Sequence, residues 1–226
     1  MKHLFKISIY TMALMCIISC AANSESNNNE LASNRAPLAP ELLAKLDTAI
    51  FASGCFWCTE AIFERVEGVH DVVSGYSGGE RKDPTYRQVS AGITKYAEAV
   101  RVLFDPEVVT YPELVEMFFA SHDPTQVNRQ GPDVGAQYRS EIFYRNEGQR
   151  KTADKIKKKL DASGKYSRPI ATRITAYTNF YDAEDYHQDF YALNPNQGYI
   201  KAVSRPKVEK FVKEFNSKLK KQYQHQ

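Results

Sequence analysis

Residues 48–68 read TAIFASGCFWCTEAIFERVEG. The change of period inside them is the key to the fold. Residues 48–52 (TAIFA) predict a short strand of apolar and β-branched side chains. Ser53 and Gly54 lead out of it. From Cys55 onward the period becomes helical, with Ala61, Ile62, Arg65 and Val66 at helix spacing and Gly68 as a stop. A strand that turns through one glycine into a helix places Cys55 at the helix start.

Outward from this unit the same alternation continues. Residues 69–74 predict a strand closed by the glycine-rich turn GYSGG at 75–79. Residues 85–90 read as helix or loop. Residues 96–104 (YAEAVRVLF) alternate and predict a strand. Thr110, Pro112 and Glu113 are an N-cap, a first-turn proline and a closing capping-box acid. The helix they start runs to about Ser121 and buries Leu114, Met117 and Phe118. Residues 122–137 form a long polar loop. Strands over 138–144 and 170–177, a basic amphipathic helix over 147–160 and a short helix over 184–191 follow. The last helix, 208–219, carries Val208, Phe211, Val212, Phe215 and Leu219 on one face. Without a regular βαβ rhythm, these elements predict one α+β domain, a sheet with helices packed over it.

The 226 residues are 42% hydrophobic and 25% charged, with a net charge of +3. That composition excludes a wholly disordered or collagen-like chain. The charge is too small to argue for a nucleic-acid partner. The four cysteines, Cys16, Cys20, Cys55 and Cys58, all precede Thr59. A disulfide-stapled secreted fold spreads its cysteines, so that class is excluded too.

The first pair belongs to an export signal. Residues 1–20 read MKHLFKISIYTMALMCIISC, with Lys2 and Lys6 ahead of an apolar run at 7–18 that is too short for a transmembrane helix. The ending Ile17-Ile18-Ser19-Cys20 resembles a bacterial lipobox, which makes Cys20 the lipid anchor and discards Cys16. Cleavage after Ala22 is the alternative, and it loses Cys20. On the lipobox reading the chain is an exported lipoprotein, held on the periplasmic or cell-surface side of a membrane. Removal of two lysines and no acid leaves a net charge of +1. Residues 21–40, rich in Asn, Ser and Ala, form a flexible tether. The folded domain occupies 41–226.

The second pair carries chemistry. At a helix start, unpaired N–H groups and the helix dipole favour a thiolate at Cys55. Cys58 is one turn on, with its Cα about 5 Å away, within disulfide range. A zinc site needs two further ligands, and the histidines are scattered singly. A three-residue disulfide loop stabilises little. Redox chemistry remains, and a general C-x-x-C thiol–disulfide oxidoreductase fits it. Phe56 and Trp57 between the cysteines are either core or the walls of an apolar pocket. Glu98 shares strand parity with Val100, Val102 and Phe104. If that face is the core, Glu98 is a protonated donor. If Ala97, Ala99 and Leu103 are the core face, it is solvated.

Several segments together resemble peptide methionine sulfoxide reductase A: GCFW with Glu60, GYSGG at 75–79, PTYRQV at 84–89, AEAVRV at 97–102, HDPTQVNRQGPDVGAQYRS at 122–140 and FYDAEDYHQ at 180–188. They run in the family's order over about two thirds of the chain. The resemblance implies a two-layer α+β sandwich, a mixed sheet with a ferredoxin-like core. It implies that Cys55 attacks the sulfur of a methionine S-sulfoxide, free or in exported proteins. Glu98 protonates the oxygen with help from the Tyr86 and Tyr138 hydroxyls. Phe56 and Trp57 hold the methyl group, and Asp133 hydrogen-bonds within the substrate site. Cys55 is left as a sulfenic acid, which a neighbouring thiol can resolve. Many members have Gly where this chain has Cys58 and resolve with C-terminal cysteines. This C-terminus has none, so Cys58 or an external thiol must resolve. Tyr96 also stands where His is common.

Taken alone, Tyr86 and Tyr138 are two of 14 tyrosines, Asp133 lies in a turn, and His122 and His187 read as structural histidines. The expected enzyme is a monomer without metal or organic cofactor, with no nucleic-acid partner, recycled by a thioredoxin-like protein or dithiothreitol. A non-catalytic surface lipoprotein that binds oxidised peptides is the other class of reading.

Overall fold

A computed structural model describes residues 38–224. The export signal, Cys16, Cys20 and most of the tether lie outside the described residues. A helical turn α1 (Pro40–Leu43) leads into strand β1 (Asp47–Ser53) and helix α2 (Phe56–Glu64). Next come β2 (Val69–Ser77), α3 (Tyr86–Ser90), β3 (Ala97–Phe104) and α4 (Tyr111–Ala120). A small hairpin, β4 (Arg129–Gln130) and β5 (Asp133–Val134), precedes β6 (Ser140–Tyr144) and α5 (Glu147–Ala162). The chain closes through β7 (Arg173–Ala176), β8 (Phe180–Asp182), α6 (Phe190–Leu193), a π-helical turn Ile200–Ser204 and α7 (Arg205–Phe215). None of the described helices is long and apolar enough to cross a membrane.

The main sheet has the order β7-β6-β1-β3-β2-β8. β3 runs antiparallel to both β1 and β2, and β1 antiparallel to both β3 and β6. So β1 and β2 are parallel, separated by β3 and connected through α2. β3 and β6 are parallel, separated by β1 and connected through α4. Two interlocked split βαβ units are the ferredoxin-like core. β7 joins parallel to β6 and β8 antiparallel to β2, which makes the sheet mixed. Strand parity divides the two faces. Ala49, Phe51, Val100, Val102 and Phe104 enter the main core with α2, α4 and α7, whereas Ile50, Ala52, Ala97, Ala99 and Phe143 form a small cluster on the other face.

Local chemistry explains the elements. Thr110 accepts the Glu113 N–H while Glu113 accepts that of Thr110, the capping box that starts α4. Thr85 and Gln88 do the same for α3. Five expectations are corrected. Residues 75–77 are strand, not turn: Gly75 pairs with Ala99 and Asp182, and a Cβ there would collide with Phe180 and the Tyr181 carbonyl. Tyr138 ends a 3₁₀ turn, and its strand starts only at Ser140. β7 keeps only four of the eight residues expected over 170–177, because the Ile170 and Ala171 N–H groups bond to Asp161 Oδ1 and the Pro124 carbonyl instead of to β6. The expected helix over 184–191 is a 3₁₀ turn, Asp185–His187, then a break at Asp189 with φ +55°, then α6. The last helix begins with the π turn and stops at Phe215, and Leu219 instead bridges Val66.

Candidate active site

Gly54, with φ +96°, turns the chain from β1 into α2. A Cβ there would come within 2.6 Å of Gln130 Cβ. The missing side chain therefore seats the β4–β5 hairpin on the turn and brings Asp133 beside Cys55. Cys55 is the N-cap of α2, one position ahead of the helix proper. Its carbonyl accepts from Cys58 N–H at 3.2 Å and Thr59 Oγ1 at 3.3 Å, and Thr59 Oγ1 lies 2.8 Å from Ser53 Oγ. The cysteine's backbone is thus fixed from both sides.

β3 supplies Glu98 from the neighbouring strand, on the core face. It is 2% exposed, and its Oε2 accepts the Phe56 N–H at 3.1 Å, at the N-terminus of α2. Burial raises its pKa to about 8, the largest effect, against the lowering bond from Phe56. Of the two strand parities, the structure selects the buried one. At neutral pH Glu98 is a carboxylic acid with a proton to give.

A cavity of about 230 Å³ opens above Cys55, lined by Cys55, Phe56, Trp57, Tyr86, Glu98, Asp133, Tyr138 and Tyr199. Its size suits one small side chain. Seven of these eight residues are ones expected from the sequence. Cys58 lies beside Cys55, 4% exposed, its Sγ donating to Ser204 Oγ at 3.1 Å. A larger cleft of about 620 Å³, lined by Leu43, Glu64, His70 and Lys220 among others, contains no thiol.

The walls are locked aromatics. Trp57 stacks on Phe190 with centroids 3.8 Å apart, meets the edge of Tyr199, and donates its Nε1–H to His187 Nδ1 at 3.1 Å. That bond puts the neutral His187 proton on Nε2, and burial lowers the pKa to about 4. His187 also packs on Phe56 and Tyr86. Its structural reading therefore holds, but at the site wall. Glu184 accepts the Tyr86 N–H and the Tyr76 O–H, both at 2.8 Å, and so fixes the start of α3. Burial pushes Tyr86 up to about 12 and Tyr138 higher, so both keep their protons at neutral pH.

One expectation reverses. The helix start was expected to favour a Cys55 thiolate. Burial outweighs it and pushes the Cys55 thiol up, reinforced by Cys58 and Glu98. Cys58 is drawn down to about 7, first by its hydrogen bond with Cys55 and further by Lys207 and Ser204.

Tyr199, Glu184 and Ser204 did not stand out as individual residues. Tyr199 donates to Asp133 Oδ2 at 2.6 Å. It is one tyrosine among 14, and only the fold brings it to Cys55.

A sequence profile of the family described as "Peptide methionine sulfoxide reductase" matches residues 47–220. A relative from Rhodopirellula baltica, "Peptide methionine sulfoxide reductase MsrA 1", is 53% identical over 174 residues, covering 77% of this chain and 90% of its own. A second, "Peptide methionine sulfoxide reductase MsrA" from Nitratiruptor sp., is 51% identical, covering 76% and 98%. Among solved structures, Mxr1 from Saccharomyces cerevisiae in reduced form superimposes with a TM-score of 0.64 at 38% identity, over 73% of this chain and 92% of that one. Methionine sulfoxide reductase A of Corynebacterium diphtheriae gives 0.61 at 35% identity, over 68% and 77%.

Proposed function

Because this chain belongs to the peptide methionine sulfoxide reductase family, we propose that Cys55 is its nucleophile and Glu98 its acid, acting on the S epimer of methionine sulfoxide. The observation that carries this is the convergence of a buried thiol, a neutral carboxyl and two phenols on one small aromatic-walled cavity. Glu98 gives its proton to the sulfoxide oxygen, and the Tyr86 and Tyr138 hydroxyls donate to the same atom. The Cys55 sulfur attacks the substrate sulfur, and its own thiol proton replaces the one Glu98 gave. The substrate S–O bond breaks, the hydroxyl ends on Cys55, and methionine leaves. The substrate sulfur gains two electrons and Cys55 loses them, becoming a sulfenic acid. Phe56 and Trp57 hold the substrate methyl group, and Asp133, tied to Tyr199, orients the substrate.

Cys58 then attacks the Cys55 sulfenic sulfur, a disulfide forms, and water leaves. A thioredoxin-like protein reduces the disulfide. The export signal at 1–20 and the lipobox-like ending at Cys20 support a membrane-anchored lipoprotein that repairs exported proteins. The test of the chemistry is incubation of the protein and dithiothreitol with each sulfoxide epimer. Methionine is expected from the S form, and its absence overturns the assignment. Palmitate labelling that Cys20→Ala abolishes is the expected result for the anchor, and unchanged labelling refutes it.

A further inference from the structure

The C-terminal segment delivers one hydroxyl to Cys58 and a second to the cavity above Cys55. Tyr199 bounds the π-helical turn Ile200–Ser204 on its N-terminal side and lines the cavity above Cys55, its hydroxyl donating to Asp133 Oδ2. Ser204 ends the turn, fully buried, with Oγ 3.1 Å from Cys58 Sγ. In an α-helix, residues five apart point about 140° from one another. The i→i+5 closure of a π turn brings them back toward one face. Here that face is the cysteine pair, so the irregular turn has a use that a regular helix would not serve.

Resting on the assignment of Cys58 as the resolving thiol, we infer that Ser204 is a positioning residue for disulfide formation, holding the Cys58 sulfur against Cys55 and stabilising it when it loses its proton. At rest the Cys58 S–H donates to Ser204 Oγ. Once the proton is gone, the serine hydroxyl turns and donates to the thiolate. The Cys58 thiolate attacks the sulfenic sulfur of Cys55, the S–S bond forms, the S–O bond breaks, and hydroxide leaves with the Cys58 proton as water. The other groups facing Cys58 are Cys55 itself, Glu98 from β3, Asp133 from β5, Tyr199 and Lys207 from α7. Lys207 favours the thiolate and Asp133 opposes it. Glu98 is neutral until about pH 8. Ser204 is the one that touches Cys58 through an uncharged, fully enclosed hydroxyl.

The experiment is a single turnover of the reduced full chain with one equivalent of methionine S-sulfoxide and no reductant, quenched over time. Methionine and remaining thiols are counted separately, from pH 6 to 9. In Ser204→Ala the slowing should fall on the disulfide step and not on the methionine burst. It should be about tenfold at pH 6.5 and shrink toward pH 9, because attack follows the thiolate fraction. A Cys55 sulfenic acid should accumulate and be trapped by dimedone. A disulfide step with unchanged rate and pH profile overturns the inference, as does a slowing that is the same at every pH. No methionine burst from the unsubstituted protein would instead refute the assignment of Cys55, and with it this step.

Discussion

Glu98 is useful to Cys55 because the burial that suppresses one ionisation suppresses the other. With a pKa near 8, the carboxyl keeps its proton through neutral pH yet gives it up when a sulfoxide oxygen starts to gain charge. The methionine-forming step should therefore fall as pH rises through about 8, the direction set by loss of the acid form. Glu98→Gln should slow that step by roughly a hundredfold or more and remove the fall, both read from single-turnover methionine. Cys58→Ser keeps the first step and loses the second. It should release about one methionine per protein and then stall as a dimedone-reactive sulfenic acid when a thioredoxin is the reductant. Undiminished thioredoxin-driven turnover would show that Cys58 is not the resolver. At this scale much of the site was legible in the sequence. Cys55, Phe56, Trp57 and Cys58 are consecutive, whereas the parity of Glu98 left both faces open and only the family resemblance singled it out. Tyr199 and Ser204 were not legible, since nothing local distinguishes a tyrosine or serine that tertiary structure alone brings to a thiol.

Elements place those residues, and their glycines mark where one element presses on another. Gly75 lies in β2 under Phe180 of β8, and a Cβ there would also meet the Tyr181 carbonyl. β8 leads into the 3₁₀ turn that carries Glu184 and His187 to Tyr86 and Trp57. Gly75→Ala should destabilise the fold by about 1–3 kcal/mol, seen as a lowered denaturant midpoint. It should also reduce turnover at temperatures where the protein remains folded, because the edge strand and the site wall shift together. A fall in stability with no change in turnover would uncouple β8 from the site. The sequence GYSGG reads as a turn because the reason for its first glycine is a strand far along the chain. β1, β3 and α4 were legible because alternation, the capping box and Pro112 are local signals. The break at Asp189 was not, since a left-handed aspartate has no sequence mark that separates it from a helical one.

The whole molecule encloses titratable groups on both sides of neutrality, and together they set where it is most stable. His122 bridges α4 to β6 through Phe118 O at 2.8 Å and Ser140 Oγ at 2.7 Å, and desolvation holds its pKa at about 4. His187 is held at about 4 as well, and protonating its Nδ1 would break the bond from Trp57. Both histidines are neutral in the fold and titrate near 6.5 when unfolded, so the unfolded chain takes up more protons as pH drops below 6.5. Each costs stability through that window, down to its folded value. Glu98 works in the opposite sense. Its raised pKa gives stability that is fully present below its unfolded value of about 4.5 and is lost as pH rises through about 8. Between pH 6.5 and 4.5 two losses therefore meet one gain, and the net from these three groups is a fall of about 2 kcal/mol. In Glu98→Gln the opposing gain is absent, so the acid fall from these groups should roughly double, to about 4 kcal/mol. Denaturant unfolding at pH 6.5, 5.5 and 4.5 measures both slopes. Equal slopes in the two proteins would mean that Glu98 is ionised in the folded state, and would remove it as the acid.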